Sequence, residues 1–158
     1  MTSQPLPFIP EIFDTPLFTV AEPVKPSMVP LAEPREKNRL VFILENPQEE
    51  VCSAAEMDLL CKIADWKELK MKRTEAAVVN CARQPVVFTE LLRSVRLKNV
   101  ICFGVPPKNI GLQIEATDTG LISFRGIQFI FTSSLSTLNA NNHLKQKFFR
   151  EALRPMFP

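Results

Sequence analysis

From residue 39 onwards, short apolar runs alternate with stretches of helical spacing. Leu40 to Leu44 is an unbroken apolar run that ends in Glu45-Asn46-Pro47. A run this short and this apolar predicts a strand buried on both faces, the usual state inside a parallel sheet. Ala76 to Val79, closed by Asn80-Cys81, and Asn99 to Phe103, closed by Gly104-Val105-Pro106-Pro107, repeat the pattern. Between the first two runs, Ser53-Ala-Ala-Glu56 fits a capping box, in which the serine hydroxyl caps an early helical amide and the glutamate reaches back. The helix it opens carries Met57, Leu60, Cys61 and Ala64 on one stripe, widened by Leu59 and Ile63, with Trp66 and Leu69 closing it on the core. Phe88, Leu91, Leu92 and Val95 predict a second, short helix. Leu121 to Phe124 and Ile127 to Phe131 flank Arg125-Gly126 as a tight hairpin, its second run joining the main sheet. His143 to Leu153 predicts a closing helix, with Leu144, Phe148, Ala152 and Leu153 turned to the sheet and Phe149 beside them. The alternation implies an α/β domain over residues 39–158, a three-layer sandwich around a parallel four-stranded sheet.

Residues 1–38 read differently. Eight of the 14 prolines lie there, at positions 5, 7, 10, 16, 23, 26, 30 and 34. Proline fixes φ, removes a donor and biases its predecessor to extended geometry, so this density predicts an extended arm without regular elements. The arm is nevertheless apolar in its first half. Phe8, Ile9, Ile12, Phe13, Leu17 and Phe18 have no element of their own to bury them, and either lie back on the domain or dock on a partner protein.

Composition narrows the class. Of the 158 residues, 46% are hydrophobic and 23% charged, which is globular, and no apolar run approaches the ~20 residues of a membrane-spanning helix. The start, MTSQPLPFIP, lacks a basic segment and is broken by prolines, so no signal peptide is expected and the default address is cytoplasmic. The arm holds five acids against three bases, and the rest of the chain 12 acids against 16 bases. That balance permits nucleic-acid contact without requiring it. Lys145, Lys147, Arg150 and Arg154 on the closing helix are the candidate phosphate contacts, set against the plainer role of a solvated face. Cys52, Cys61, Cys81 and Cys102 form no Cys-x-x-Cys pair and His143 is the only histidine, so reduced thiols and no metal are expected. The glycines, all between positions 104 and 126, build no phosphate-binding loop; no cofactor is expected, and a small-ligand-binding module is a disfavoured alternative.

In an open α/β sheet the chemistry gathers at the carboxyl ends of the strands. Here that means Glu45-Asn46-Pro47 after the first strand and Thr132-Ser133-Ser134 after the last. In layout, residues 39–154 resemble the uracil-DNA glycosylase superfamily, whose first loop ends in Asp-Pro or Asn-Pro and whose late loop reads His-Pro-Ser or Asn-Pro-Ser. Asn46-Pro47 match the branches in which that asparagine positions the attacking water. Leu44 stands where those enzymes carry a glycine, and Phe131-Thr132-Ser133-Ser134 replaces the segment that stabilises the departing base anion. His143 falls inside the predicted closing helix and does not replace it. Without that stabiliser the rate should fall by orders of magnitude. The resemblance therefore implies a vestigial pocket, with a weak glycosylase acting through Asn46 as the alternative.

Arg39-Leu40-Val41, the Thr132 to Leu138 segment and the Leu144 to Leu153 helix also resemble a non-catalytic family, the psi subunit of the bacterial DNA polymerase III holoenzyme. That resemblance implies an adaptor in DNA replication. Its arm would bind the clamp loader or other replication subunits, and its domain a further protein. The arm here is longer and richer in proline than the family pattern.

Overall fold

The computed structural model describes residues 28–32, 39–66, 71–94, 97–116 and 120–156. In chain order the elements are β1 (Val29–Pro30), β2 (Leu40–Leu44), α1 (Ala54–Ala64), β3 (Ala76–Asn80), α2 (Phe88–Ser94), β4 (Asn99–Phe103), β5 (Leu121–Phe124), β6 (Ile127–Thr132), α3 (Leu135–Ala140) and α4 (Asn142–Lys147). Beyond α4 the backbone winds through π turns over Phe148–Leu153 and ends in a helical turn at Arg154–Met156.

All the described strands belong to one sheet, in the order β1-β3-β2-β4-β6-β5. The strands β3, β2, β4 and β6 run parallel, with Leu40 opposite Ala76 and Asn99, and Asn99 opposite Gln128. β1 and β5 are antiparallel to their neighbours. The expected four-stranded parallel sheet, and the uracil-DNA glycosylase-like fold built on it, are therefore corrected to a six-stranded mixed sheet. Two physical reasons account for the difference. Pro30 lies in a proline-rich stretch from which no strand was expected. On an edge, however, its missing N–H points outward, while the Leu31 N–H donates to Ala76 O at 3.0 Å. At the other edge, the hairpin carries its first strand into the sheet as well as its second.

The apolar runs are strands because they are covered on both faces, and every residue of β2, β3 and β4 is buried. On one face Leu40, Phe42, Leu44, Val78, Ile101, Phe103 and Ile130 meet α1, α3 and the Phe148–Met156 stretch. On the other Val41, Ile43, Val79, Val100, Cys102 and Phe129 meet Phe88 and Leu91 of α2 together with Val105, Ile110 and Leu112. Side chains of this size each contribute roughly 1.5–3 kcal/mol when fully buried. Met28 is buried in the second cluster and Leu31 packs on the first, so the folded unit reaches back ahead of Arg39. Phe8, Ile9, Ile12, Phe13, Leu17 and Phe18 lie outside the described residues.

The capping box at α1 forms as read: Glu56 N–H donates to Ser53 Oγ at 3.2 Å and Ser53 N–H to Glu56 Oε2 at 2.8 Å. Just past the other end of α1, Asp65 accepts from Arg73 Nε at 2.8 Å, and this guanidinium holds its carboxyl below the usual range. The closing segment differs from the single helix expected. Asn141, in extended backbone just ahead of the expected span, separates α3 from α4 and caps α4 through Oδ1, which accepts from His143 N and Leu144 N. The π turns bring residues five apart into line, so Phe148 and Leu153 are both buried. Phe148 then packs on Phe103 at 5.8 Å between centroids, and Phe149 meets Trp66 edge-on at 5.4 Å.

Candidate functional site at the carboxyl ends of the strands

Parallel strands end together, so the loops after β2, β3, β4 and β6 share one rim of the sheet. Asn46 occupies the loop after β2. Its Nδ2 donates to Glu56 Oε2 at 2.9 Å, and its Oδ1 accepts from Gln48 N at 3.0 Å and Glu49 N at 3.3 Å. Both ends of the amide are thus engaged by the chain itself, as in an Asx turn. The same Glu56 oxygen also accepts from Ser53, which ties the loop to the first turn of α1. Glu45 and Pro47 beside it are exposed.

The residue that organises this loop is Asn80, the last of β3 and only 3% exposed. Its Oδ1 accepts from Asn46 N at 3.0 Å and from Ala82 N at 3.1 Å. Its Nδ2 donates to Asn46 O at 2.8 Å and Glu49 O at 3.0 Å. The sequence reading placed Asn80 only as the end of an apolar run. The available signal is an asparagine closing an apolar run, as Asn46 does two residues past the end of β2.

Thr132, Ser133 and Ser134 follow β6. Thr132 is 8% exposed and its Oγ1 has no hydrogen-bond partner among the described residues. Ser134 caps α3, accepting from Thr137 N at 3.3 Å, and its Oγ lies 2.9 Å from Thr137 Oγ1. Gly104, at φ +69°, brings the loop after β4 against this cap. Its N–H donates to Thr132 O at 2.8 Å, and a Cβ there would stand 3.2 Å from Ser134 Cβ. A cavity of about 330 Å³ opens between residues 104–107, Ala116 and residues 131–133. Thr132 and Ser133 line it, whereas Glu45, Asn46, Pro47 and Ser134 do not. None of its lining residues is ionisable, so its polar chemistry is that of hydroxyls and backbone. A smaller cavity, about 250 Å³, lies at the β1–β3 edge beside Glu50, Val51, Asn80 and Arg83.

The thiols near the rim are poor nucleophiles. Burial pushes Cys52 and Cys81 up to about 11, with the charges of Glu56 and Glu45 acting in the same direction. The fully buried Cys102 is pushed higher still by burial. All four cysteines are free. Among the described residues no group of three or more His, Cys, Asp or Glu side chains is arranged to hold a metal ion. Among them, too, no helix is long and apolar enough to cross a membrane. On the closing segment Arg150 and Arg154 are exposed, Lys145 and Lys147 half-buried, and His143 exposed.

No protein-family model matches the chain, and no curated protein sequence matches it.

Proposed function

We propose that this chain is a non-catalytic adaptor that joins proteins of the DNA replication machinery, in the manner of the psi subunit it resembles. One observation carries the non-catalytic part. The amide of Asn46, the group that would have to orient a water, is held at both ends by Glu56, Gln48 and Glu49. Turning it towards a substrate would break all three bonds, at roughly 1 kcal/mol each. The replication context is supported by the resemblance at Arg39-Leu40-Val41, Thr132 to Leu138 and Leu144 to Leu153. The apolar arm from Phe8 to Phe18 is the segment assigned to partner capture, and a cytoplasmic address goes with this reading. Any nucleic-acid contact through Lys145, Lys147, Arg150 and Arg154 is secondary, since lysines and arginines on one helix bring affinity rather than specificity.

Affinity capture from the native cell tests the proposal, using the full chain and a chain beginning at Met28, which keeps β1. The full chain should recover clamp-loader or other replication subunits, and the shortened chain should lose them. Recovery of the same partners by both chains would refute the arm's role. A fluorescent uracil-containing oligonucleotide tests the enzymatic rival: base release by the wild type that vanishes in Asn46→Ala would overturn the adaptor reading.

A further inference from the structure

The two edges of the sheet are built differently. β1 is two residues long and contains Pro30, which blunts that edge. β5 is Leu-Ile-Ser-Phe, with neither proline nor charge, and among the described residues no strand lies beyond it. The hairpin turn fixes which of its backbone groups face outward. Arg125 at φ 51° and Gly126 at φ 76° are the two positive-φ residues of a type I′ loop. Such a loop closes on a pair that exchanges both hydrogen bonds, here Phe124 and Ile127, and the same phase recurs at Ile122 and Phe129. The N–H and C=O groups of Leu121 and Ser123 therefore point away from the sheet. On the same strand Leu121 is 36% exposed, one of three large apolar residues left so open among the described residues.

We propose that β5 pairs with β5 of a second copy of this chain, antiparallel about a two-fold axis at Ile122, to give one continuous sheet across two molecules. This inference is independent of the adaptor reading. In that register Leu121 faces Ser123 of the other copy, and Ser123 faces its Leu121. Both pairs consist of residues whose backbone groups point outward, so four hydrogen bonds form without disturbing those between β5 and β6. The two Leu121 side chains become diagonal neighbours on one face, at the ~7–8 Å where long side chains touch. Charge favours the antiparallel arrangement. The only charge on the hairpin is Arg125, which is exposed at the turn. Antiparallel pairing sets the two Arg125 residues at opposite ends of the seam, roughly 20 Å apart at the rise of a strand and beyond the screening length. A parallel arrangement would bring them together.

Sedimentation of the full chain over a concentration series tests the proposal. The weight-average mass should rise from 17.9 kDa towards twice that value. Ser123→Pro removes an outward donor while sparing every bond to β6, and Leu121→Lys places a charge on the open edge. Both variants should stay monomeric at concentrations where the wild type pairs, with thermal midpoints close to wild type. If Ser123→Pro fails to fold, Leu121→Lys alone decides. A wild type that stays monomeric throughout overturns the proposal and leaves the edge to the strand of another protein. Self-association that survives the substitutions also overturns it, by placing the contact elsewhere.

Discussion

Replacing Asn80 with alanine is the sharpest probe of the rim. The substitution removes an acceptor from Asn46 N and Ala82 N and a donor from Asn46 O and Glu49 O. Ala82 and Glu49 are exposed, so water replaces their lost bonds and little is forfeited. The N–H and C=O of Asn46 are half-buried, and orphaning each costs about 1–2 kcal/mol. The expected loss is about 3 kcal/mol, or roughly 1–3 M in the urea midpoint at the m-values of small domains. Asn80→Asp separates the two halves of the role. It keeps the acceptor but sets a buried carboxylate against two carbonyl oxygens, which raises its pKa above the unfolded value of about 4. A group raised in the folded state contributes stability below its unfolded pKa and loses it as pH rises through the folded pKa. The Asp variant should therefore be as unstable as the Ala variant at neutral pH and recover part of the deficit on acidification, because the protonated carboxyl donates again. Urea melts of both variants and the wild type at neutral and mildly acidic pH read this directly. A loss below 1 kcal/mol for Asn80→Ala, or no recovery of Asn80→Asp relative to the wild type, would refute the account of the rim.

Gly104→Ala should cost about 2 kcal/mol by thermal or urea denaturation, since it combines a positive φ with a Cβ only 3.2 Å from that of Ser134. Arg125→Asn should raise stability by about 0.5–1 kcal/mol in the same melts, because asparagine accepts the left-handed conformation more readily than arginine; some of the gain is lost with the Arg125–Phe124 ring contact. Phe148→Ala should cost about 3–5 kcal/mol, given its burial between Phe103 and the rest of that core face. The raised thiols predict an alkaline weakness. Cys52 and Cys81 are protonated up to about 11 when folded and to about 9 when unfolded, so their contribution is lost as pH rises from 9 through 11. Melts of wild type and the Cys52→Ser, Cys81→Ser double variant should converge across that window.

What was legible in the sequence was whatever local pattern alone determines. The runs at Leu40, Ala76, Asn99 and Ile127 are apolar without alternation, and only burial on both faces explains such runs. The capping box is a four-residue signal and forms as read. The misses are all decided by neighbours distant in sequence. Pro30 argues against a strand until an edge position makes its missing N–H harmless. The Leu121 to Phe124 run predicts one arm of a hairpin, but its place as a sixth strand depends on where the hairpin docks. The π turns over Phe148–Leu153 seat both Phe148 and Leu153 against the sheet, a departure from regular helix that local spacing did not require. At the rim, the position of Asn46 is readable and its bonds from Gln48 and Glu49 are local, whereas its other partners, Glu56 and Asn80, lie on α1 and β3.

The central place of β2 has a consequence for how the chain is made. β2 is synthesised first among the parallel strands, yet both of its neighbours, β3 and β4, emerge from the ribosome later. Until β4 follows, a nascent chain holds a fully apolar strand with at least one unpaired side. Truncation or stalling ahead of Asn99 should therefore yield chaperone-bound or insoluble fragments rather than a smaller folded unit.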